Sequence, residues 1–357
     1  MNKIKNKYIC RACGVNSKLI DLTFNLPRKL KPLFPYSYRG LNSKSLFCEK
    51  CGSISFYSTK KINYKSGEYR KIGKAKSLPI DLPWSTITYK RHISVFNLIK
   101  NYLPKKINSN FKLLDFGGYN GFCSYGICQN LGIKLENGFV ADLDKNGLAV
   151  ASSLGLSTYN LGEKSLSKYL KNSKQKFSLV TAIHVLEHLE DPSTFFIDLR
   201  KYLSKEAIIY VEVPSKFFFP LSDPSHITTF SKEGLKRLGE ENGFKMIMNC
   251  TNSAPKESIF YGYPLRSKFE NESYIFKLEE TSFNHLNKKE KSYSARNYII
   301  YSLLADLFLR FVVIKNYFNT SIIFIKSVIK SILIFSFSTL IISTKIILNL
   351  IFLRFKK

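Results

Sequence analysis

Acidic residues are the scarce class in this chain. Its 357 residues hold 26 Asp and Glu against 55 Lys and Arg, a net charge of +29 at pH 7. Asp306 is the last acid. This balance points to anionic partners: nucleotides, phosphorylated sugars, acidic lipid headgroups or nucleic acid. The basic residues are spread along the chain, and no dense Arg/Lys stripe interleaved with aromatics is present, which counts against a dedicated RNA surface. Part of the excess follows from a composition rich in Lys, Asn, Ile, Phe and Tyr, the habit of an AT-rich genome. No repeat of fixed period is present. Histidine is rare, with five residues, so candidates for a general base are few. No apolar run follows the basic residues 1–7, so no secretory signal is expected. Seven cysteines in such a chain then argue for a reducing compartment and metal, not disulfides.

Four of those cysteines form two knuckles, Cys10-x-x-Cys13-Gly14 and Cys48-x-x-Cys51-Gly52. Two intervening residues let both sulfurs face one ion, and the glycine permits a tight turn. Four thiolates suit tetrahedral zinc with no open position, hence a structural ion. Cys123, Cys128 and Cys250 are expected to be ordinary buried thiols. Residues 60–83, polar and broken by Gly67, Gly73, Pro79 and Pro83, read as a linker or connecting loop. A helix is expected from Trp84 to Leu103, stopped by Pro104, with an apolar set at Ile93, Phe96, Ile99 and Leu103.

Next come three pieces that belong together. Leu113, Leu114, Asp115 and Phe116 read as a strand, followed at once by Gly117, Gly118, Tyr119, Asn120 and Gly121, and then by a helix. Glycine lets a ligand approach the backbone, and a helix N-terminus offers free N–H groups. A second strand-like run, 138–142, ends in Asp142, roughly 20 residues beyond the turn, where a doubly wound sheet places its ribose-binding acid. The alternative for Asp142 is a helix N-cap or turn residue. The third piece is the strand-like run Leu179 to Ile183, followed by His184, Val185, Leu186, Glu187, His188, Leu189, Glu190, Asp191 and Pro192. Its His-x-x-Glu-His matches an inverted zinc-protease pattern. The first histidine falls at a strand end, however, which separates it from the helical face that chemistry needs. Helix-start capping and an active-site role both stand open for Glu187 and His188.

From about residue 111 to 250 the chain resembles the class I S-adenosylmethionine-dependent methyltransferases, in the group that carries a Val-Leu-Glu-His-Leu-x-Asp-Pro segment. The resemblance implies an α/β fold: a Rossmann-like sheet with helices on both faces, here with a small N-terminal zinc ribbon and an apolar, basic, helical C-terminal tail. It implies that Asp115, Gly117, Gly118 and Gly121 form the turn beside the methionine part of S-adenosylmethionine. Asp142 would bind the ribose, Leu143 would lie against the adenine, and His184 would sit near the methionine moiety or the acceptor. Tyr119 stands where a glycine is usual, which puts the turn's shape in question. His226, Ile227, Thr228, Thr229, Phe230 and Ser231 fit a His-x-x-x-Phe-Ser that the family often places here. His226 would act as general base or would order the loop. Glu212, near a strand end, would contact the acceptor or act as a cap.

A four-cysteine module (Cys10, Cys13, Cys48, Cys51) ahead of such a core resembles sugar C-methyltransferases of deoxysugar pathways and methyltransferases encoded with surface-polysaccharide genes. The implied acceptor is a nucleotide- or lipid-linked carbohydrate, methylated on oxygen or carbon. Ribosomal-RNA methyltransferases also carry N-terminal zinc modules, so nucleic acid is a rival partner, and a non-catalytic scaffold of the same fold is a third reading. The expected division is 1–60 zinc ribbon, 61–110 linker and pre-core helix, 111–250 cofactor-binding core, 251–296 acceptor-side or connecting segment, and 297–357 tail. A homo-oligomer is left open.

The tail changes in composition: Ile, Leu and Phe dominate and Lys and Arg recur. Residues 331–353 number about 23, long enough at 1.5 Å each to span a bilayer. Lys345 inside that stretch would cost roughly 2.5–3.5 kcal/mol at a bilayer centre. Ser327, Ser331, Ser338, Lys345 and Asn349 fall within about 40° of one another at 100° per residue. That favours a helix lying in an anionic membrane surface, with a span or a protein-buried helix as the alternatives. The expected location is the cytoplasm, peripheral at the inner membrane.

Overall fold

The computed structural model describes residues 9–14, 19–21, 44–57, 82–171, 175–214, 226–252 and 271–279. The expected linker up to residue 81, and the whole of the tail with its in-plane, spanning and buried alternatives, lie outside the described residues; Leu82 and Pro83, read as linker, begin a helix. Among the described residues no helix is long and apolar enough to cross a membrane.

Two sheets are present. A four-stranded antiparallel sheet runs β1 (Leu19–Asp21), β2 (Lys44–Cys48), β3 (Ile54–Tyr57) and β9 (Thr228–Thr229), in that order. The main sheet uses β4 (Leu113–Phe116), β5 (Gly138–Asp142), β6 (Ser157–Asn160), β7 (Phe177–Ile183), β8 (Leu203–Pro214), β10 (Phe244–Asn252) and β11 (Asn271–Leu278) in the order β10-β11-β8-β7-β4-β5-β6. The five strands from β4 to β8 are mutually parallel, and β11 enters between β8 and β10 antiparallel to both. Strand order reverses between β4 and β7, which makes their C-terminal ends the switch point where open α/β sheets bind ligands.

The central strands are near-continuous apolar runs because both faces are covered. Successive residues point to opposite faces, and the pairs Leu113/Leu114, Leu179/Val180 and Ile208/Ile209 each divide between two separate cores. One core is closed by α1 (Leu82–Ile99), α2 (Phe122–Leu131) and α3 (Lys145–Ser153), through Val95, Ile127 and Leu148. The other is closed by α4 (Leu166–Leu170), α5 (Ser193–Arg200) and α6 (Lys232–Glu241), through Leu170, Phe196 and Leu235. Burying side chains of this size is worth about 1.5–3 kcal/mol each relative to exposure.

Three sequence expectations are corrected. The sheet does not end near residue 250: β11 lies in the segment read as acceptor-side or connecting. Its burial gives the reason, since Tyr274, Ile275 and Phe276 are fully buried between β8 and β10. The buried face of α1 is His92, Val95 and Ile99, whereas Ile93 is 51 % exposed. Both sets obey helical spacing, and the polar His92 conceals the true face. Cys250 is only partly buried, unlike Cys123 and Cys128.

Candidate functional site

At the N-terminus the two knuckles bring four buried sulfurs together. The Sγ atoms of Cys10 and Cys51 are 3.7 Å apart, and those of Cys13 and Cys48 are 4.0 Å apart. Zn–S bonds of ~2.3 Å in a tetrahedron require sulfurs about 3.8 Å apart, so the donor set fits zinc. Each knuckle closes with its glycine amide donating to the first cysteine's carbonyl, Gly14 to Cys10 at 2.8 Å and Gly52 to Cys48 at 2.7 Å.

This module does not stand alone. The Ser231 hydroxyl donates to the Cys51 carbonyl, and the Ser231 amide donates to Ser53 Oγ at 2.9 Å. Ser231 Oγ also caps α6 by accepting from the Gly234 amide at 2.8 Å. β9 pairs with β3, the Phe56 amide donates to the Ile227 carbonyl at 2.8 Å, and Arg11 donates to the Phe56 carbonyl at 2.6 Å. The loop carrying His226 is therefore fixed by the four-cysteine module.

At the switch point β4 delivers Asp115, which is buried and accepts hydroxyl bonds from Ser124 at 2.6 Å and Thr181 at 2.7 Å. Burial raises its pKa, and the two hydroxyls oppose that rise. A Cβ on Gly118 would fall 2.5 Å from Asp115 Oδ2, and one on Gly117 would fall 2.3 Å from Val185 Cγ2, so both positions need glycine. Gly117 and Gly121 take φ of 75° and 71°. Tyr119 takes φ 48°, the left-handed region that glycine would enter freely. Its ring lies against the backbone of Gly147 in α3, where a Cβ would sit 2.4 Å from Tyr119 Cδ2.

Asp142 ends β5 with each carboxylate oxygen engaged. Oδ2 accepts from the Tyr119 amide at 2.8 Å, and Oδ1 accepts from the Asp144 amide at 2.9 Å. Burial raises its pKa and these amides oppose the rise. The helix cap is Asp144, not Asp142: Asp144 accepts from the amides of Asn146 and Gly147. A carboxylate has about four lone-pair sites, so Asp142 can still accept from a pair of hydroxyls. Leu143 beside it is part-exposed. A glycine-bound turn, an acid at the end of the next strand and a part-exposed apolar side chain suit a nucleoside with a charged tail. Asp115, Gly117, Gly118, Gly121, Asp142 and Leu143 lie at adjoining strand ends, and S-adenosylmethionine fits them.

His184 follows β7 with φ 55°. Left-handed non-glycine residues cost of order 1–3 kcal/mol and cluster at functional sites. His184 Nδ1 lies 3.3 Å from Glu187 Oε1, and Nε2 lies 3.5 Å from Glu212 Oε1. Glu187 is 1 % exposed and comes from a single 3-10 turn, Leu186–His188. Its Oε1 is also 3.9 Å from His188 Nε2 and 4.0 Å from His226 Nε2. Burial would raise its pKa, but His184 and the other imidazoles lower it overall. Glu212 is equally buried and lies 3.4 Å from Arg91, and it accepts the Tyr210 hydroxyl at 2.7 Å. Burial pushes Glu212 up, but Arg91 and His184 outweigh it and hold the carboxyl at about 2. His184 is raised: burial lowers it, and the two glutamates more than offset that.

Glu212 thus faces Arg91, Tyr210 and His184, neither capping a helix nor standing at the surface. Glu187 and His188 cap no helix either. Arg91 and Tyr210 were missed from sequence. The one available signal for Arg91 was its place four residues before the buried Val95.

A family model described as a methyltransferase domain matches residues 89–249. This chain carries a methyltransferase domain. The matched residues run from the middle of α1 into β10 and hold every group of the switch-point site. Similar solved structures include an S-adenosylmethionine-dependent methyltransferase from Anabaena variabilis, at 14 % identity and TM-score 0.45, covering 61 % of this chain and 96 % of that one. Another, from Thermotoga maritima and titled a possible histamine N-methyltransferase, has 14 % identity and TM-score 0.41, covering 60 % of this chain and 99 % of that one. A third, from Clostridium acetobutylicum, has 14 % identity and TM-score 0.38, covering 61 % and 98 %. A search of the curated proteins finds no match.

Proposed function

We propose that the methyltransferase domain acts on a nucleotide- or lipid-linked carbohydrate in surface-glycan synthesis. The observation that carries this reading is the set of buried ionised groups beside the cofactor turn: Glu187 and Glu212 with Arg91, His184 and His226. A hydroxyl or carbon acid must lose a proton as it is methylated, and a His/Glu set supplies a place for that proton.

S-adenosylmethionine, when bound, supplies a methyl group on a positively charged sulfur. Asp142 and the turn would hold the cofactor, and Asp115 fixes the turn. An acceptor atom aligned with the methyl carbon would take the methyl group, with the sulfur as leaving group, and its proton would pass to solvent by way of the histidine–glutamate set. Alignment contributes much of the rate.

The four-cysteine module is proposed to hold structural zinc and so to set His226. The excess of Lys and Arg suits the phosphates of a nucleotide- or lipid-linked sugar. Residues 297–357, basic and apolar with Asp306 as their last acid, are proposed to rest on an anionic membrane surface.

Incubation with labelled S-adenosylmethionine and a panel of nucleotide- and lipid-linked sugars, with RNA alongside, tests the acceptor. Label in a sugar is the expected result. Label only in RNA, with binding that weakens steeply with salt, would move the assignment to nucleic acid.

A further inference from the structure

Glu187 presents an unusual problem. It is 1 % exposed, and among the described residues neither carboxylate oxygen has a well-aligned hydrogen-bond partner. An uncompensated buried carboxylate costs several kcal/mol, and His184 at 3.3 Å offers charge without hydrogen-bond alignment. On the other side stand two more imidazoles. His188 Nε2 and His226 Nε2 lie 3.9 and 4.0 Å from Glu187 Oε1, and one ligand atom from each of the three residues falls within 4.8 Å of the others. Tetrahedral zinc with bonds of ~2.0–2.1 Å holds its ligand atoms about 3.4 Å apart, so small side-chain rotations that draw the three inward would let a single ion touch all of them.

The backbone ties these ligands to one another. The Ile227 amide donates to the Glu187 carbonyl at 2.8 Å, so the His226 loop is pinned to the turn that carries Glu187 and His188. The four-cysteine module pins the same loop from its other side through Phe56 and Arg11. Val213, Pro214, Thr228 and Phe230 pack around Glu187 and His226 with no room for a free water molecule. Among the described residues the buried Thr228 hydroxyl lacks a hydrogen-bond partner.

We propose that Glu187, His188 and His226 bind one divalent transition-metal ion, zinc being the best fit to two imidazoles and a carboxylate. The ligands come from a 3-10 turn and the segment just before β9, not from one helical face, so the site is unrelated to the protease pattern in the same residues. Three protein ligands leave a tetrahedral ion one open position, the arrangement of a working ion and not of a structural one. The role rests on the acceptor reading above: an acceptor oxygen in that position loses its proton to solvent more readily, as metal-bound water does. Binding itself does not depend on that reading.

The test uses full-length protein dialysed against zinc, with the four-cysteine module left intact and the metal counted per chain. The wild type is expected to hold a second zinc besides that of the four-cysteine module. His188→Ala and His226→Ala should each bind the second zinc at least tenfold more weakly, with His188→Gln as a second variant should His188→Ala fail to fold. No second zinc in folded wild type, or its full retention in both the His188 and His226 variants, would overturn the proposal. S-adenosylhomocysteine binding measured on the same samples separates this outcome from failure of the methyltransferase reading, because the cofactor groups lie on β4 and β5.

Discussion

The backbone amide of Tyr119 donates a 2.8 Å hydrogen bond to Oδ2 of Asp142. One bond joins the turn after β4 to the acid after β5, so the two halves of the cofactor site cannot move apart. It also accounts for the non-glycine residue in a left-handed position. The bond and the packing of the ring against Gly147 offset the strain.

Tyr119→Gly keeps the amide and removes the strain, so S-adenosylhomocysteine affinity should stay within about threefold of wild type, under ~0.7 kcal/mol. Tyr119→Val puts a β-branched residue at positive φ and should lose at least tenfold in affinity, about 1.4 kcal/mol. Calorimetric titration of both variants checks this, and equal losses would refute the role given to backbone conformation.

Arg91→Met leaves Glu212 buried with its principal counter-charge gone. The expected cost is about 3–5 kcal/mol of folding stability, read by urea unfolding. Arg91→Lys should recover part of it. A loss below about 1 kcal/mol would mean that His184 and Tyr210 suffice.

Legibility from sequence divided along physical lines. Strand, turn and acid were readable because parallel strands are apolar runs and the turn needs glycine: Asp115, Gly117 and Asp142 announce themselves locally. The grouping of the four N-terminal cysteines was readable because two knuckles repeat one spacing. Long-range relations were not. Nothing near Arg91 points to Glu212, and nothing in 226–231 states that it will pair with β3. Tyr119 looked like a departure from pattern, and only its φ shows that it occupies the glycine's conformation. β11 escaped notice because its apolar run, Tyr274, Ile275 and Phe276, is covered on both faces by partners distant in sequence.

Stability should fall in acid through Glu212. Its carboxyl is held at about 2, below the ordinary 4.5. A depressed folded-state pKa gives stability that is fully present above the unfolded value and is lost as pH falls toward the folded one. The decline should therefore run between about pH 4.5 and 2. Melting temperature against pH for wild type and Glu212→Gln checks it, since the variant should show a shallower slope in that window.

If the four cysteines hold zinc as proposed, its removal should loosen β9. Cys51→Ser, or a mercurial, is expected to speed amide exchange at Phe56 and Ile227 while the amides of β4 and β7 stay protected. Affinity for S-adenosylhomocysteine should persist and methyl transfer should fall, because His226 is displaced and the turn is not. Parallel loss of both would show that the module supports the cofactor site as well.

Calorimetric titration of S-adenosylhomocysteine into the folded, full-length protein, with Asp142→Ala beside it, tests the cofactor site most directly. The account predicts micromolar binding at one site per chain, weakened at least tenfold by the substitution. Absence of binding, or equal binding by Asp142→Ala, would contradict it.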